Sequence, residues 1–118
     1  MNKVAKKIIR SFSFAIKGLR HAWKIDQSFR LEISLGLPLY VIFGSLMSPL
    51  TDLELITLVF SYLFILAIEL LNTSIEHLLD RLHPDGHEMI ERSKDIASSA
   101  VLMSFIFAFF VFMFVMFN

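Results

Sequence analysis

Residues 55–79 read LITLVFSYLFILAIELLNTSIEHLL, an apolar run of membrane-spanning length into which Glu69, Asn72, Glu76 and His77 are set. A helix needs about 20 apolar residues to cross roughly 30 Å of hydrocarbon. A charged side chain near the middle of such a helix costs about 2.5–3.5 kcal/mol on insertion scales, so polar residues there call for a reason. Glu69, Asn72, Glu76 and Asp80 follow one another at spacings of three, four and four. Helical periodicity puts all four on one face about 80° wide. Glu69 is the deepest, about three turns from Asp80, and the face runs from lipid toward water.

Two further runs flank this one. Residues 33–50 carry no charge but include Gly36, Pro38 and Gly44, and residues 96–117 are uncharged throughout. Hydrophobic residues make up 56% of the 118 and the mean hydropathy is +0.68. An ordinary soluble domain is about 45–50% apolar, and one this small leaves much of its surface in water. The composition therefore argues against a soluble enzyme and for a chain solvated partly by lipid. There is no cysteine, hence no disulfide framework and no thiolate zinc site. Continuous apolar runs satisfy their backbone as helices, whereas barrel strands alternate. The expectation is an all-α membrane protein of one domain, 1–118. It comprises an N-terminal amphipathic surface helix with its connection (1–28) and three transmembrane helices, about 32–50, 54–79 and 96–117.

Charge gives the orientation. Lys3, Lys6, Lys7, Arg10, Lys17, Arg20 and Lys24 precede the first acid, Asp26. At 100° per residue Val4, Ile8, Phe12, Ala15, Leu19 and Trp23 fall on one side and the cations on the other, the pattern of a helix lying in the membrane interface. The connection 48–52 has no Lys or Arg, whereas 80–95 contains Arg81, Arg92 and Lys94. The positive-inside rule then places the N-terminus and the second loop in the cytoplasm and Asn118 on the far side of a bacterial inner membrane. Roughly 30 residues precede the first apolar run, and no small-x-small site follows it, which argues against a signal peptide.

The third run opens on a polar turn of its own, Glu91, Lys94, Asp95 and Ser98. A short loop brings it opposite Glu76 and Asp80. Acids with one lysine at a membrane surface suit a divalent cation and a polyphosphate, since Mg²⁺ takes carboxylate, water and phosphate oxygens; interhelical ion pairs that fix packing are the alternative. Gly occurs only at 18, 36, 44 and 86, so no glycine-rich phosphate loop and no dinucleotide fingerprint is present. His83 and His87 flank the turn signal Pro84-Asp85-Gly86 and read, by spacing, as solvated loop histidines.

With Glu69-Leu-Leu-Asn72-Thr-Ser-Ile-Glu76, then Asp80-Arg81, Arg92-Ser-Lys94-Asp95 and Ser98-Ser-Ala-Val101, the chain resembles the prokaryotic diacylglycerol kinase family. Gly18-Leu-Arg20-x-Ala-Trp23 and Phe29-Arg30-x-Glu32 extend the match over nearly the whole chain. The resemblance implies transfer of the ATP γ-phosphoryl group to diacylglycerol in a homotrimer with composite sites between subunits. It implies Glu69 as general base, Asp26 and Glu76 on Mg²⁺, and Asn72 and Lys94 on the transferring phosphate. Nucleotide contacts would also come from Lys7, Phe14, Asp95 and the loop Asp85-Gly86-His87. Arg20, Trp23, Ser28, Phe29, Arg30, Leu31, Glu32, Glu69 and Ser98 would line the lipid site.

Three residues depart from the family pattern. Asp26 stands where Glu is usual, Lys7 where an Arg is expected, and Phe14 where a Tyr is expected near the adenine. Lys and Arg are not equivalent at phosphate. The second- and third-helix motif is untouched. Phosphorylation of undecaprenol by the same site is the nearest alternative reading. A proton-relay bundle using Glu69 and a non-catalytic assembly protein are more distant ones.

Overall fold

The computed structural model describes residues 2–118, so Met1, the first residue of the expected 1–28 segment, lies outside them. Four helices follow in order: α1, Lys3–Ile25; α2, Gln27–Leu46; α3, Asp52–Leu82; and α4, Glu88–Phe117. The last three are long and apolar enough to cross a membrane. This is the all-helical membrane architecture the sequence implies.

A single residue turns the chain from the surface helix into the first span. Asp26 ends α1, its amide reaching back to the Ala22 carbonyl, and begins α2, its Oδ1 accepting the Phe29 amide at 3.0 Å. An extended Asp at this position satisfies an orphan donor of the new helix while breaking the old one. Arg30 locks the corner from the other side, donating to the Trp23 and Lys24 carbonyls at 2.7 and 2.8 Å. Arginine at the last carbonyls of a helix also meets the negative end of its dipole.

Early in α2, Glu32–Gly36 is wound as a π-helix, with the Leu37 amide bonded to the Glu32 carbonyl. Pro38 follows and offers no amide to the Ser34 carbonyl, the kind of defect at which a helix widens. The Glu32 carbonyl also accepts the Tyr62 hydroxyl from α3. A Cβ at Gly36 would stand 3.2 Å from that hydroxyl, a tight contact that glycine avoids. Tyr40 and Tyr62 pack with ring centroids 5.1 Å apart, and the Tyr40 hydroxyl bonds Ser61 Oγ at 2.7 Å. A hydroxyl inside a membrane needs such partners. α2 stops at Leu46; residues 47–50, counted with the first span in the sequence reading, lie outside it because Pro49 disfavours helix at Ser48.

α3 opens on a capping box, Thr51 Oγ1 accepting the Glu54 amide and Glu54 Oε1 the Thr51 amide, each at 3.1 Å. It pairs antiparallel with α4. On α3 the buried positions are Glu54, Leu58, Ser61, Ile65 and Glu69; on α4 the half-buried and buried positions include Ile90, Lys94, Ala97, Val101, Ser104, Ala108, Val111 and Val115. Both rows advance in steps of three and four, the spacing that keeps a seam between two helices. Ser61 and Ser104 are completely buried in it. Small residues let membrane helices approach closely, and each serine satisfies its hydroxyl on a carbonyl three residues earlier. Elsewhere both helices present many large apolar side chains outward, including Phe105, Phe109, Phe110 and Phe114 on α4.

Candidate active site

The seam of α3 continues past Ile65 into Glu69, Asn72 and Glu76, so one row of positions is apolar packing at its far end and polar chemistry at its near end. Exposure rises along the row: Glu69 is 7% exposed, Asn72 and Glu76 are half-buried, and Asp80 is in the open. The helix turns that place the carboxylates together are therefore the turns that grade them from lipid to water. Asn72 Nδ2 donates to Glu76 Oε1 at 3.2 Å. Among the described residues, Glu69 Oε2, Glu32 Oε2 and Asn72 Oδ1 are buried acceptors without a hydrogen-bond donor. Buried polar atoms are normally satisfied, so three orphans, two of them on adjoining turns of α3, mark this as the place where the protein is least self-sufficient.

α1 and α2 bring two more acids to the row. Thr73 donates its hydroxyl to Asp26 Oδ2 at 2.5 Å, tying the α1–α2 corner to α3 one turn from Glu76. Glu32, on the π turn, is a half-buried acid near Glu69. From α4, Lys94 Nζ sits on Asp80 Oδ1 at 2.8 Å. The acids Asp26, Glu32, Glu69 and Glu76, the amide of Asn72 and the Lys94–Asp80 pair thus form one band at the end of the α3–α4 seam.

Other residues of the sequence reading lie around this band. Arg20, Trp23 and Phe29 line a shallow depression between α1 and the start of α2, Phe29 being buried and Ser28 and Leu31 exposed. Arg30 is committed to the α1 carbonyls. Asp95 and Ser98 are exposed on α4. Among the described residues, Lys7 and Phe14 make no hydrogen bond or ion pair with the band; they lie exposed on α1, where Lys17 Nζ stands 5.6 Å from the Phe14 ring centroid. In the α3–α4 loop, Gly86 takes φ +76°, a conformation that suits glycine. His87 Nδ1 caps α4 by accepting the Met89 amide at 3.0 Å. Exposed like its neighbours, it nonetheless has a definite task at a helix start, which spacing did not reveal. Thr73 and Tyr62 were also missed. The only signal for either was a hydroxyl inside an apolar span, which demands a partner without naming it.

A polytopic membrane protein of three spans, with a band of acids where one helix pair meets the interface, is what fold and site together define. The sequence model described as prokaryotic diacylglycerol kinase matches residues 13–116. Relatives include the diacylglycerol kinase of Haemophilus influenzae, 33% identical over 100 residues, covering 82% of this chain and 80% of that one. That of Escherichia coli K12 is 33% identical over 105 residues, covering 86% and 82%. That of Helicobacter pylori J99 is 31% identical over 102 residues, covering 86% and 78%. The chain belongs to the prokaryotic diacylglycerol kinase family.

Proposed function

We propose that this protein is an ATP-dependent lipid kinase that phosphorylates the free hydroxyl of diacylglycerol to give phosphatidate. The observation that carries the reading is the position of Glu69. It is a buried carboxylate with an unpartnered oxygen, set about two turns inside the interface on a face that leads outward through Asn72 and Glu76. A lipid alcohol presents its hydroxyl at that depth, and a phosphate donor arrives from the water side.

In this scheme Glu69 accepts the hydroxyl proton as the lipid oxygen bonds to the γ-phosphorus. The bond from that phosphorus to the bridging oxygen breaks, and ADP leaves with its electron pair. Phosphoryl transfer is governed by positioning and charge compensation rather than by a particular phosphate loop, so a helical band can perform it. Asn72 and Lys94 hold the transferring group, and Lys94 changes partner from Asp80 to do so. Asp95, Asp85, Gly86, His87, Lys7 and Phe14 hold the nucleotide. Arg20, Trp23, Ser98 and the segment Ser28-Phe29-Arg30-Leu31-Glu32 hold the lipid.

The residues fit Mg²⁺. No cluster of three or more acid or imidazole ligands occurs among the described residues, but Mg²⁺ in kinases is bound by one or two carboxylates with the rest of its shell from water and substrate phosphates. Asp26 and Glu76, one turn apart through Thr73, are that donor set. When bound, the ion offsets the negative charge of the phosphates. Within one protomer Lys7 and Phe14, exposed on α1, make no hydrogen bond or ion pair with the acids among the described residues, and broad apolar faces are uncovered. A homotrimer with sites composed between subunits answers both features. The proposed setting is the bacterial inner membrane, with the N-terminus and the α3–α4 loop cytoplasmic.

The test is phosphate incorporation from ATP into diacylglycerol and undecaprenol, assayed side by side in mixed micelles. Phosphatidate formation well above polyprenyl phosphate supports the reading. Preference for undecaprenol replaces the substrate but keeps the chemistry, and hydrolysis of ATP with neither lipid phosphorylated refutes it.

A further inference from the structure

The ammonium of Lys94 has more than one acid within its range. Lys94 lies half-buried in the packed row of α4, and its Nζ crosses to α3 to meet Asp80 Oδ1 at 2.8 Å. Asp80 is the outermost acid of the α3 face and is exposed. Glu76 stands one turn further in on the same face, about 6 Å along the axis, a distance over which a long lysine stem can swing its charge. Among the described residues the Glu76 carboxylate accepts one hydrogen bond, from the Asn72 amide. A carboxylate has several acceptor positions, so Glu76 keeps room for an ammonium. Glu91, one turn before Lys94 on its own helix, is exposed and also near in charge. Of these acids, Asp80 is the one that Lys94 bonds.

We infer that Asp80 is a positioning residue that acts through Lys94: it draws the ammonium to the outer turn of the α3 face and so keeps Glu76 open to the divalent cation. The inference deepens the reading of Glu76 as a metal ligand and rests on it. A carboxylate paired with a neighbouring ammonium is closed to a metal ion until the pair opens, and its apparent affinity falls by the fraction of time it is open. With Lys94 held on Asp80, Glu76 and Asp26 are free to take the ion. An ion pair in contact with water is exchanged at little cost, so a phosphate oxygen of the nucleotide can afterwards draw Lys94 away from Asp80. Asp80 itself touches neither the ion nor the nucleotide in this scheme.

The experiment measures Mn²⁺ binding without nucleotide, by loss of the free ion's paramagnetic resonance signal, on assembled protein in neutral micelles. Mn²⁺ takes the same carboxylate and water oxygens as Mg²⁺. The proteins are the parent, Asp80→Asn, Asp80→Glu, Glu76→Gln, Lys94→Gln and the Asp80→Asn/Lys94→Gln double variant. The binding lost in Glu76→Gln is the binding that belongs to the site. Ion pairs in contact with water outweigh their open forms only a few-fold, so Asp80→Asn is expected to bind Mn²⁺ about two- to sixfold more weakly. The Mg²⁺ concentration for half-maximal turnover rises in step. Asp80→Glu keeps a counterion for Lys94 and binds as the parent does. In the Lys94→Gln background Asp80→Asn loses its effect, because a residue that acts through another adds little once the other is gone. Parental Mn²⁺ affinity in Asp80→Asn, no recovery in Asp80→Glu, or an equal weakening with Lys94 absent, as a direct ligand would give, would each overturn the inference. Mn²⁺ binding untouched by Glu76→Gln would instead overturn the metal assignment beneath it.

Discussion

Asp26 is the residue on which stability and chemistry can be separated most cleanly. Its two carboxylate oxygens have different work: Oδ1 caps α2 at the Phe29 amide and Oδ2 accepts the Thr73 hydroxyl. Loss of an N-cap costs about 1 kcal/mol, and a hydrogen bond to a charged group contributes about 1.5–3 kcal/mol. The corner is only partly buried, so the low end applies, and Asp26→Ala is expected to lose about 2–3 kcal/mol of stability. Asn caps as well as Asp, and its amide still pairs with the threonine hydroxyl, so Asp26→Asn should stay within about 1 kcal/mol of the parent. Thr73→Val removes one of the two bonds, and its effect should vanish in the Asp26→Ala background because the two variants delete a shared contact. Unfolding in micelles by titration with a denaturing detergent, followed by circular dichroism, reads these differences. The Mg²⁺ dependence of turnover then reads the charge: Asp26→Asn folds normally yet needs more Mg²⁺. Asp26→Asn as unstable as Asp26→Ala, or additive losses with Thr73→Val, would refute the reasoning about the corner.

Three further outcomes are expected. Glu76→Gln should keep its hydrogen bond to Asn72 and its fold while raising the Mg²⁺ concentration for half-maximal activity or abolishing turnover; a fold lost without any metal dependence in the parent returns Glu76 to packing. Tyr62→Phe should remove the hydroxyl's bond to the Glu32 carbonyl at a cost of about 1 kcal/mol, read by the same detergent titration, and stability equal to the parent's would contradict the contact. Reporter fusions at Asp85 and at Asn118 should report opposite compartments, and equal signals would contradict three spans.

The parts legible in the sequence were those written in one helix. The spacing of Glu69, Asn72, Glu76 and Asp80 needs only a 3.6-residue period to put four side chains on one face. Lys94 opposite Asp80 followed from a short loop between two long helices. What periodicity cannot carry is a contact between distant segments. Thr73 to Asp26 spans 47 positions and Tyr62 to Glu32 spans 30, and each depends on where the first span crosses the second. Pro38 and Gly36 flagged an irregular first span, but not that the irregularity would be a π turn facing Tyr62. The amphipathic stripe of α1 was plain, yet Ala22 alone of that helix is buried within one protomer. A stripe says which side seeks an apolar surface and is silent on whether lipid or another subunit supplies it.

The most direct measurement is single-turnover phosphoryl transfer to diacylglycerol by Glu69→Gln beside the parent, with nucleotide affinity measured on the same assembled protein. Glutamine preserves the shape and removes the proton acceptor, and a neutral amide is easier to bury than a carboxylate. The account predicts a rate lower by about 10²–10⁴ with assembly and ATP affinity little changed. A rate close to the parent's would contradict it.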